Sequence, residues 1–243
     1  MPLFGSWALE RWLATICLFA VYSLYFPLTD YTRTLQPLDM TTSMDAVIPL
    51  VPVWIVFYVM IYPAAILPMF VVKDPLVFRN VIKAYLAVEL IAIAVFVLVP
   101  VHMSLRPPLE SVPEGGFFEW GIRVCYWYDF PTCCFPSLHV ATATLSALAC
   151  YRVHRPTGYV AIFFALMISL STMLVKQHFV ADVVAGMALS SLFYFLWVRN
   201  AKPLDGSQLS HSKWWLLVPC LFYVLFIAGF YLNYANGFQP WAQ

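Results

Sequence analysis

Charged side chains are scarce in this sequence. Asp, Glu, Lys and Arg make up 10% of its 243 residues, whereas an ordinary soluble domain has about 25%. Hydrophobic residues make up 63%, and the mean hydropathy is +0.81. The formal net charge is only +1, with no basic stripe, so nothing indicates nucleic acid as a partner. The composition indicates an integral membrane protein.

The sequence also lacks repeats, low-complexity tracts and Gly/Ser linkers, so we expect one membrane-embedded domain over residues 1–243. Seven apolar segments come close to the roughly 20 residues that a helix needs to cross a bilayer. Their apolar residues lie on all sides instead of alternating as in a transmembrane β-barrel. The predicted fold is therefore an all-α polytopic bundle, with spans at 8–28, 53–72, 83–101, 136–151, 159–175, 182–198 and 214–233.

The distribution of Lys and Arg predicts the orientation of the bundle. The first span is too long for a signal-peptide core and no small-residue cleavage site follows it, so we expect it to remain as an anchor. With a cytoplasmic N-terminus, most basic residues lie inside, as the positive-inside rule requires. The basic residues left outside are Arg33, Arg106, Arg123 and Lys176. This topology puts the long segments 29–52 and 102–135 on the periplasmic or lumenal side.

A histidine and an aspartate stand at the start of the sixth span, where an ionisable group without a role would be costly. His178 and Asp182 are four residues apart. On a helix they share one face, so the carboxylate can fix the imidazole tautomer and raise its basicity. A nucleophilic histidine is prepared in this way. A purely structural ion pair is the alternative.

Two further motifs are expected at the same membrane face. Residues 136–139, Pro-Ser-Leu-His, open the fourth span, and the free amides of a first helical turn form an anion site. Arg106 follows the third span, where a guanidinium could hold a phosphate bidentately. Interfacial snorkelling or an ion pair with Glu110 is the alternative for Arg106. Because the topology brings Arg106 and both histidines to one side, we predict an enzyme site there.

These motifs resemble a known family. The order Arg-Pro, then Pro-Ser-x-His, then Ser-(six residues)-His-(three residues)-Asp resembles the type 2 phosphatidic acid phosphatase superfamily, over about residues 100–190. Leu138 and the segment 45–52, with Tyr58 and Tyr62 beyond it, resemble the branch that contains inositol phosphorylceramide synthases. That branch transfers a phosphoryl-linked head group to a lipid alcohol instead of to water.

Two phosphate-binding cations of the superfamily pattern are absent. Val99 stands where the first motif has Lys, and Thr172 follows Ser171 where the third motif has Arg. Lys176 is the better candidate to replace one of them and Arg123 the weaker. The absence of these two cations argues less against catalysis than against a generic phosphatase.

The resemblance implies a six-helix phosphatase-like core with a seventh, C-terminal span, and it implies roles for single residues. His178 would attack phosphorus to give a phosphohistidine, and Asp182 would orient it. His139 would protonate the departing oxygen and then deprotonate water or an acceptor alcohol. The substrate phosphate would be bound by Arg106, Ser137 and Lys176. The expected substrate is a membrane lipid phosphate, with a lipid or polyol alcohol as a further acceptor, and no metal or cofactor is required.

Other interpretations stay open at this stage. His139, His178 and Asp182 could formally bind zinc. Glu89, an acid within the third span, could belong to a transporter or proton relay. An inactive relative that only binds lipid is a further alternative. In segment 102–135, Cys125 could form a disulfide with Cys133 or Cys134.

Overall fold

The structure, a computed structural model, describes residues 6–203, 214 and 216–242. This part of the chain is mostly helical, and an isolated bridge pairs Leu38 with Val101. The predicted all-α class is confirmed. The α-helices of the described part are α1 (Trp7–Tyr22), α2 (Tyr25–Thr32), α3 (Ser43–Val47), α4 (Ile55–Tyr58), α5 (Ile61–Val71), α6 (Pro75–Leu98), α7 (Phe117–Tyr128), α8 (Leu138–Val153), α9 (Arg155–Leu174), α10 (Val180–Phe193) and α11 (Leu217–Ala235).

Six helical stretches within the described residues are long and apolar enough to cross a membrane. They agree with six of the seven predicted spans. Their bounds are Trp7–Thr32, Pro52–Val71, Pro75–Leu98, Arg155–Leu174, Val180–Val198 and Leu217–Ala242. Several of these stretches begin or end at other residues than predicted. The largest difference between a predicted and an observed start is that of the third span.

The third span begins eight residues before its predicted start at 83. Asp74 caps α6 by accepting hydrogen bonds from the backbone N–H groups of Leu76 and Val77, both at 3.0 Å. Pro75 at the first helical position suits a helix start because it needs no hydrogen-bond partner there. The basic residues Arg79 and Lys83 therefore lie within the helix and not in the preceding turn.

The helical stretch at the predicted fourth span, α8, is shorter and more enclosed than the other six stretches, which have 19 to 26 residues. Its 16 residues rise about 24 Å, less than the roughly 30 Å of a hydrocarbon core. It packs against α5, α9, α10 and α6. Ten of its residues are buried. The sequence pattern of α8 is thus that of a helix surrounded by protein instead of lipid.

Two short helices, α3 in segment 29–52 and α7 in segment 102–135, cover one end of the bundle. In α7, the indole Nε1 of Trp120 donates to the backbone oxygen of Phe238 at 2.7 Å, beside α11. The first outer segment is tied to the second where the Leu38 N–H donates to the Pro100 oxygen at 2.8 Å. The functional side chains described below lie beneath these segments.

The disulfide considered from the sequence is not formed. All three cysteines of segment 102–135 are free thiols. Cys125 Sγ accepts a hydrogen bond from Gln177 Nε2 at 3.0 Å, and Cys133 Sγ lies 3.3 Å from Thr32 Oγ1. Burial raises the pKa of Cys125 to about 12 and that of Cys133 to about 11. Each thiol is therefore neutral at ordinary pH.

Candidate active site

The loop between α9 and α10 carries the predicted nucleophile. The N–H groups of Gln177 and His178 both donate to the backbone oxygen of Thr172, at 2.9 and 3.1 Å. Lys176 turns the chain with φ at +55°, in the left-handed region that a side chain disfavours. This tight reversal brings His178 to the start of α10.

His178 and Asp182 meet as their spacing predicts. Nδ1 of His178 lies 3.2 Å from Oδ2 of Asp182. The same oxygen accepts a hydrogen bond from the Phe179 N–H at 2.9 Å, so the carboxylate also caps α10. Asp182 is fully buried. Because Asp182 faces Nδ1, the imidazole is held with Nε2 free to react.

His139 lies opposite this pair, at the second residue of α8. The ring centroids of His139 and His178 are 5.9 Å apart. The Ser137 N–H donates to the Asp182 backbone oxygen at 3.1 Å, which joins the start of α8 to the start of α10. Ser137 Oγ accepts from the Val140 N–H at 3.3 Å, and the residue is fully buried. The structure thus places Ser137 as a helix cap beneath the site.

A glycine allows this close approach of α10 to α8. A Cβ atom at Gly186 would lie 2.5 Å from the Ser137 backbone oxygen and 3.3 Å from the Ala141 nitrogen. No side chain fits at such a distance from backbone atoms. The absence of a side chain at Gly186 therefore sets the distance between the two histidine-bearing helix ends.

Two groups beside His139 were not singled out as site residues from the sequence. The Tyr58 ring stacks on His139, with centroids 4.5 Å apart and planes 22° apart. Oη of Tyr58 and Oη of Tyr25 donate to the two oxygens of Asp129, at 3.2 and 2.8 Å. Burial raises the pKa of Asp129 above its ordinary value despite these bonds and the nearby Arg106 and His178. The one sequence signal for Asp129 is a carboxylate directly after an aromatic run.

Arg106 reaches the site but is largely occupied by protein acceptors. Its Nη1 donates to the Asp129 backbone oxygen at 2.7 Å and to Gln177 Oε1 at 3.1 Å. Its Nη2 donates to the Tyr126 backbone oxygen at 2.6 Å. The guanidinium also lies 3.9 Å from the centroid of the Tyr126 ring. Of its five N–H donors, these contacts with described residues use three.

The other predicted cations are placed differently. Lys176 is buried, and its Nζ donates to the Asp45 backbone oxygen at 3.1 Å. Burial lowers the pKa of Lys176, an effect that Asp45 opposes. Arg123 is directed to Glu114, with its Nη1 3.0 Å from Oε1, and lies over the Trp241 ring. Lys176 therefore lies within the loop of His178 and binds the Asp45 backbone, whereas Arg123 is directed to other partners.

Glu89 lies apart from this cluster, in the interior of α6. It is fully buried, and within the described residues neither carboxyl oxygen has a hydrogen-bond partner. Tyr22, close enough to Glu89 to interact electrostatically, pairs instead with Thr142 at 2.6 Å between the two hydroxyl oxygens. A charged carboxylate would be unfavourable here.

A cavity of about 490 Å³ adjoins His139 and Asp129. Its walls are mainly aromatic and aliphatic side chains from the first two spans, α7, α8 and α11. Phe26, Tyr62 and Tyr128 line the cavity and are each about half exposed, so it reaches the lateral surface of the bundle. Pockets of this size bind molecules with one extended apolar portion.

No group of three or more His, Cys, Asp and Glu side chains within the described ranges could hold a metal ion. His139, His178 and Asp182 accordingly do not form the zinc site considered from the sequence. Asp182 contacts His178, and His139 lies 5.9 Å from His178 between ring centroids.

Comparison with known proteins identifies the family of this chain. The family model of the PAP2 superfamily matches residues 77–205, and the chain belongs to that superfamily. An uncharacterized protein of Methanocaldococcus jannaschii is 28% identical over 103 residues, which cover 40% of this chain and 43% of that protein. No solved structure matches significantly.

Proposed function

We propose that this protein cleaves or transfers the phosphate-ester head group of a membrane lipid through a phosphohistidine intermediate on His178. The observation that carries the proposal is the position of His139. Its ring faces His178 at 5.9 Å and also lines the apolar cavity. A lipid chain in that cavity would bring its phosphate to both histidines.

The first step uses the free Nε2 of His178. It attacks phosphorus, a P–N bond forms, and the P–O bond to the leaving group breaks while His139 gives a proton to the departing oxygen. Asp182 stabilises the imidazolium that develops on His178. Two N–H groups of Arg106 and the amides at the start of α8 stabilise the charge on the phosphoryl oxygens.

The second step reverses these roles. His139 takes a proton from water or from an acceptor alcohol, whose oxygen attacks phosphorus, and the P–N bond breaks. From a phosphate monoester, water gives free phosphate and a lipid or polyol alcohol gives a new phosphate monoester. From a phosphodiester substrate, whose head group stays on phosphorus, the alcohol gives a new phosphodiester. The likeness of segment 45–52 to the inositol phosphorylceramide synthase branch supports an alcohol as the acceptor.

The test is turnover of purified full-length protein in detergent with phosphatidate, a polyprenyl diphosphate or a sphingolipid phosphate, with and without inositol. Free phosphate, the product with water, and inositol phosphate, the product with inositol, are measured together. We expect at least one product with wild type, none with His178→Ala, inhibition by vanadate and full activity in EDTA. Activity that EDTA abolishes and zinc restores would overturn the mechanism, as would an inactive wild type.

We also propose that the site faces the periplasm or lumen. Three spans precede Arg106, so it lies on the side opposite a cytoplasmic N-terminus, and α8 and α9 return the chain to that face before His178. In a background lacking the loop cysteines, Glu114→Cys should react with an impermeant thiol reagent on intact cells. Arg155→Cys should not. The opposite labelling would put the site in the cytoplasm.

A further inference from the structure

The first outer segment contacts the loop of His178 on both sides. Oδ1 of Asp45 accepts a hydrogen bond from the Val180 N–H at 2.8 Å. The Asp45 backbone oxygen accepts from Lys176 Nζ at 3.1 Å. Further along, the Val51 N–H donates to the Leu174 oxygen at 2.8 Å. Three bonds from residues 45–51 thus hold the ends of the loop that presents His178.

Asp45 is itself held in place. Only 2% of the residue is exposed, and its second carboxyl oxygen accepts from the Thr42 N–H at 2.9 Å and from the Thr42 hydroxyl. Burial acts to raise the pKa of Asp45, but the bonds from Thr42 and Val180 and the nearby Lys176 hold it below its ordinary value. The group is therefore a carboxylate at neutral pH, fixed in one orientation.

The conformation of this loop requires support from its surroundings. Lys176 has φ at +55°, a conformation that persists in a residue with a side chain only where its surroundings enforce it. Val180 is the first residue of α10, and its N–H is one of the groups that a helix start leaves without an internal partner. Asp45 satisfies this donor and places a negative charge at the helix N-terminus, where it is favourable.

We propose that Asp45 is a positioning residue for the nucleophile. By fixing the first turn of α10 it keeps Asp182 in register with Nδ1 of His178, and hence sets the direction of Nε2. The inference rests on the proposed function for its kinetic consequence, because only a nucleophile aimed at phosphorus requires this register. It also gives a physical role to the first residue of segment 45–52.

The experiment compares Asp45→Ala and Asp45→Asn with Asp39→Ala in purified full-length protein. Asp39 is an exposed carboxylate of the same outer segment that bonds Thr41 and Ser104, so it is a matched control. For Asp45→Ala we expect kcat to fall about 10- to 100-fold, as when an orienting partner is lost, with little change in KM or Tm. Asp45→Asn keeps an oxygen acceptor and should lose less, and Asp39→Ala should match wild type.

A second readout does not depend on turnover. Amide hydrogen exchange over residues 176–182 should accelerate in Asp45→Ala and stay unchanged in Asp39→Ala. Unchanged exchange in Asp45→Ala would overturn the inference, as would a parallel fall in kcat and Tm in both Asp45 variants. If wild type turns over no lipid phosphate, the proposed function fails separately, and the exchange rates still decide whether Asp45 holds the loop.

Discussion

The helices α8 and α11 are both apolar segments predicted as spans, yet they differ in length, in burial and in their contacts with other helices. α8 has 16 residues, of which ten are buried. α11 has 19 residues, and Pro219 is its one buried residue. α8 carries His139 and contacts four other helices, whereas the side chains of α11, such as Val224 and Leu225, are more than 60% exposed.

The difference shows that hydropathy reports exposure to lipid more than proximity to the site. α11 faces lipid over most of its surface, so its sequence is strongly apolar. α8 is enclosed by protein, so it can contain small and polar residues such as Ala141, Thr142 and Ser146 that let neighbouring helices approach closely. Ser146 Oγ, for example, donates to the Ala64 oxygen of α5 at 2.6 Å.

The largest expected effect is at the candidate site, beside the enclosed helix α8. His178→Ala removes the proposed nucleophile, which solvent cannot replace, so activity should be lost while insertion and Tm are retained. His139→Ala should lose about 10²- to 10⁴-fold, and less on substrates with a good leaving group. Both are measured as initial rates on the lipid phosphate found active.

The control for these variants is His102→Ala, which removes a histidine of the same outer face from outside the site. It should have the wild-type rate. A His178→Ala enzyme with more than about a tenth of that rate, a loss below ~1.4 kcal/mol, would show that the covalent mechanism is wrong.

A smaller effect should come from adding one methyl group to each region. Gly186→Ala would place Cβ 2.5 Å from a backbone oxygen of α8, whereas a Cβ at Gly229 in α11 meets no atom within 4 Å. Overpacking costs about 1–3 kcal/mol, so Gly186→Ala should lower both Tm and kcat. Gly229→Ala should leave kcat unchanged and raise Tm slightly, because Ala favours helix over Gly. Equal effects of the two substitutions would remove the distinction between enclosed and peripheral helices.

Much of the fold could be predicted because membrane helices are recognised from local sequence. Six of the seven predicted spans match helical stretches long and apolar enough to cross a membrane, and the errors at their bounds have local causes, such as the cap at Asp74 that starts α6 early. The pairing of His178 with Asp182 was also predictable, because a spacing of four fixes their contact on a helix. These inferences need no knowledge of how distant segments meet.

The rest of the site depends on contacts between distant segments. Tyr25 bonds Asp129 across 104 residues, and Asp45 bonds Val180 across 135. No periodicity in one segment indicates such a partner. Arg106 illustrates the same limit, because its position beside the site was expected while its bonds to backbone oxygens were not. Ser137, expected to bind phosphate, has its hydroxyl at the cap of α8.

The smallest expected effect concerns the side of α11 that faces the cavity, where Phe226 and Phe230 lie. Phe230 lines the cavity and packs on Trp120, with ring centroids 4.7 Å apart. If lipid chains occupy this cavity, Phe230→Ala removes apolar contact with the chain but touches neither histidine. We therefore expect KM for a long-chain lipid phosphate to rise about threefold to tenfold, a loss of about 1 kcal/mol in binding, with kcat unchanged.

A short-chain substrate should be unaffected, and Leu225→Ala, on the exposed surface of α11, should change neither substrate's KM. A fall in kcat for both substrates would instead mean that α11 supports the catalytic geometry, and the contrast between the two helices would then be one of degree.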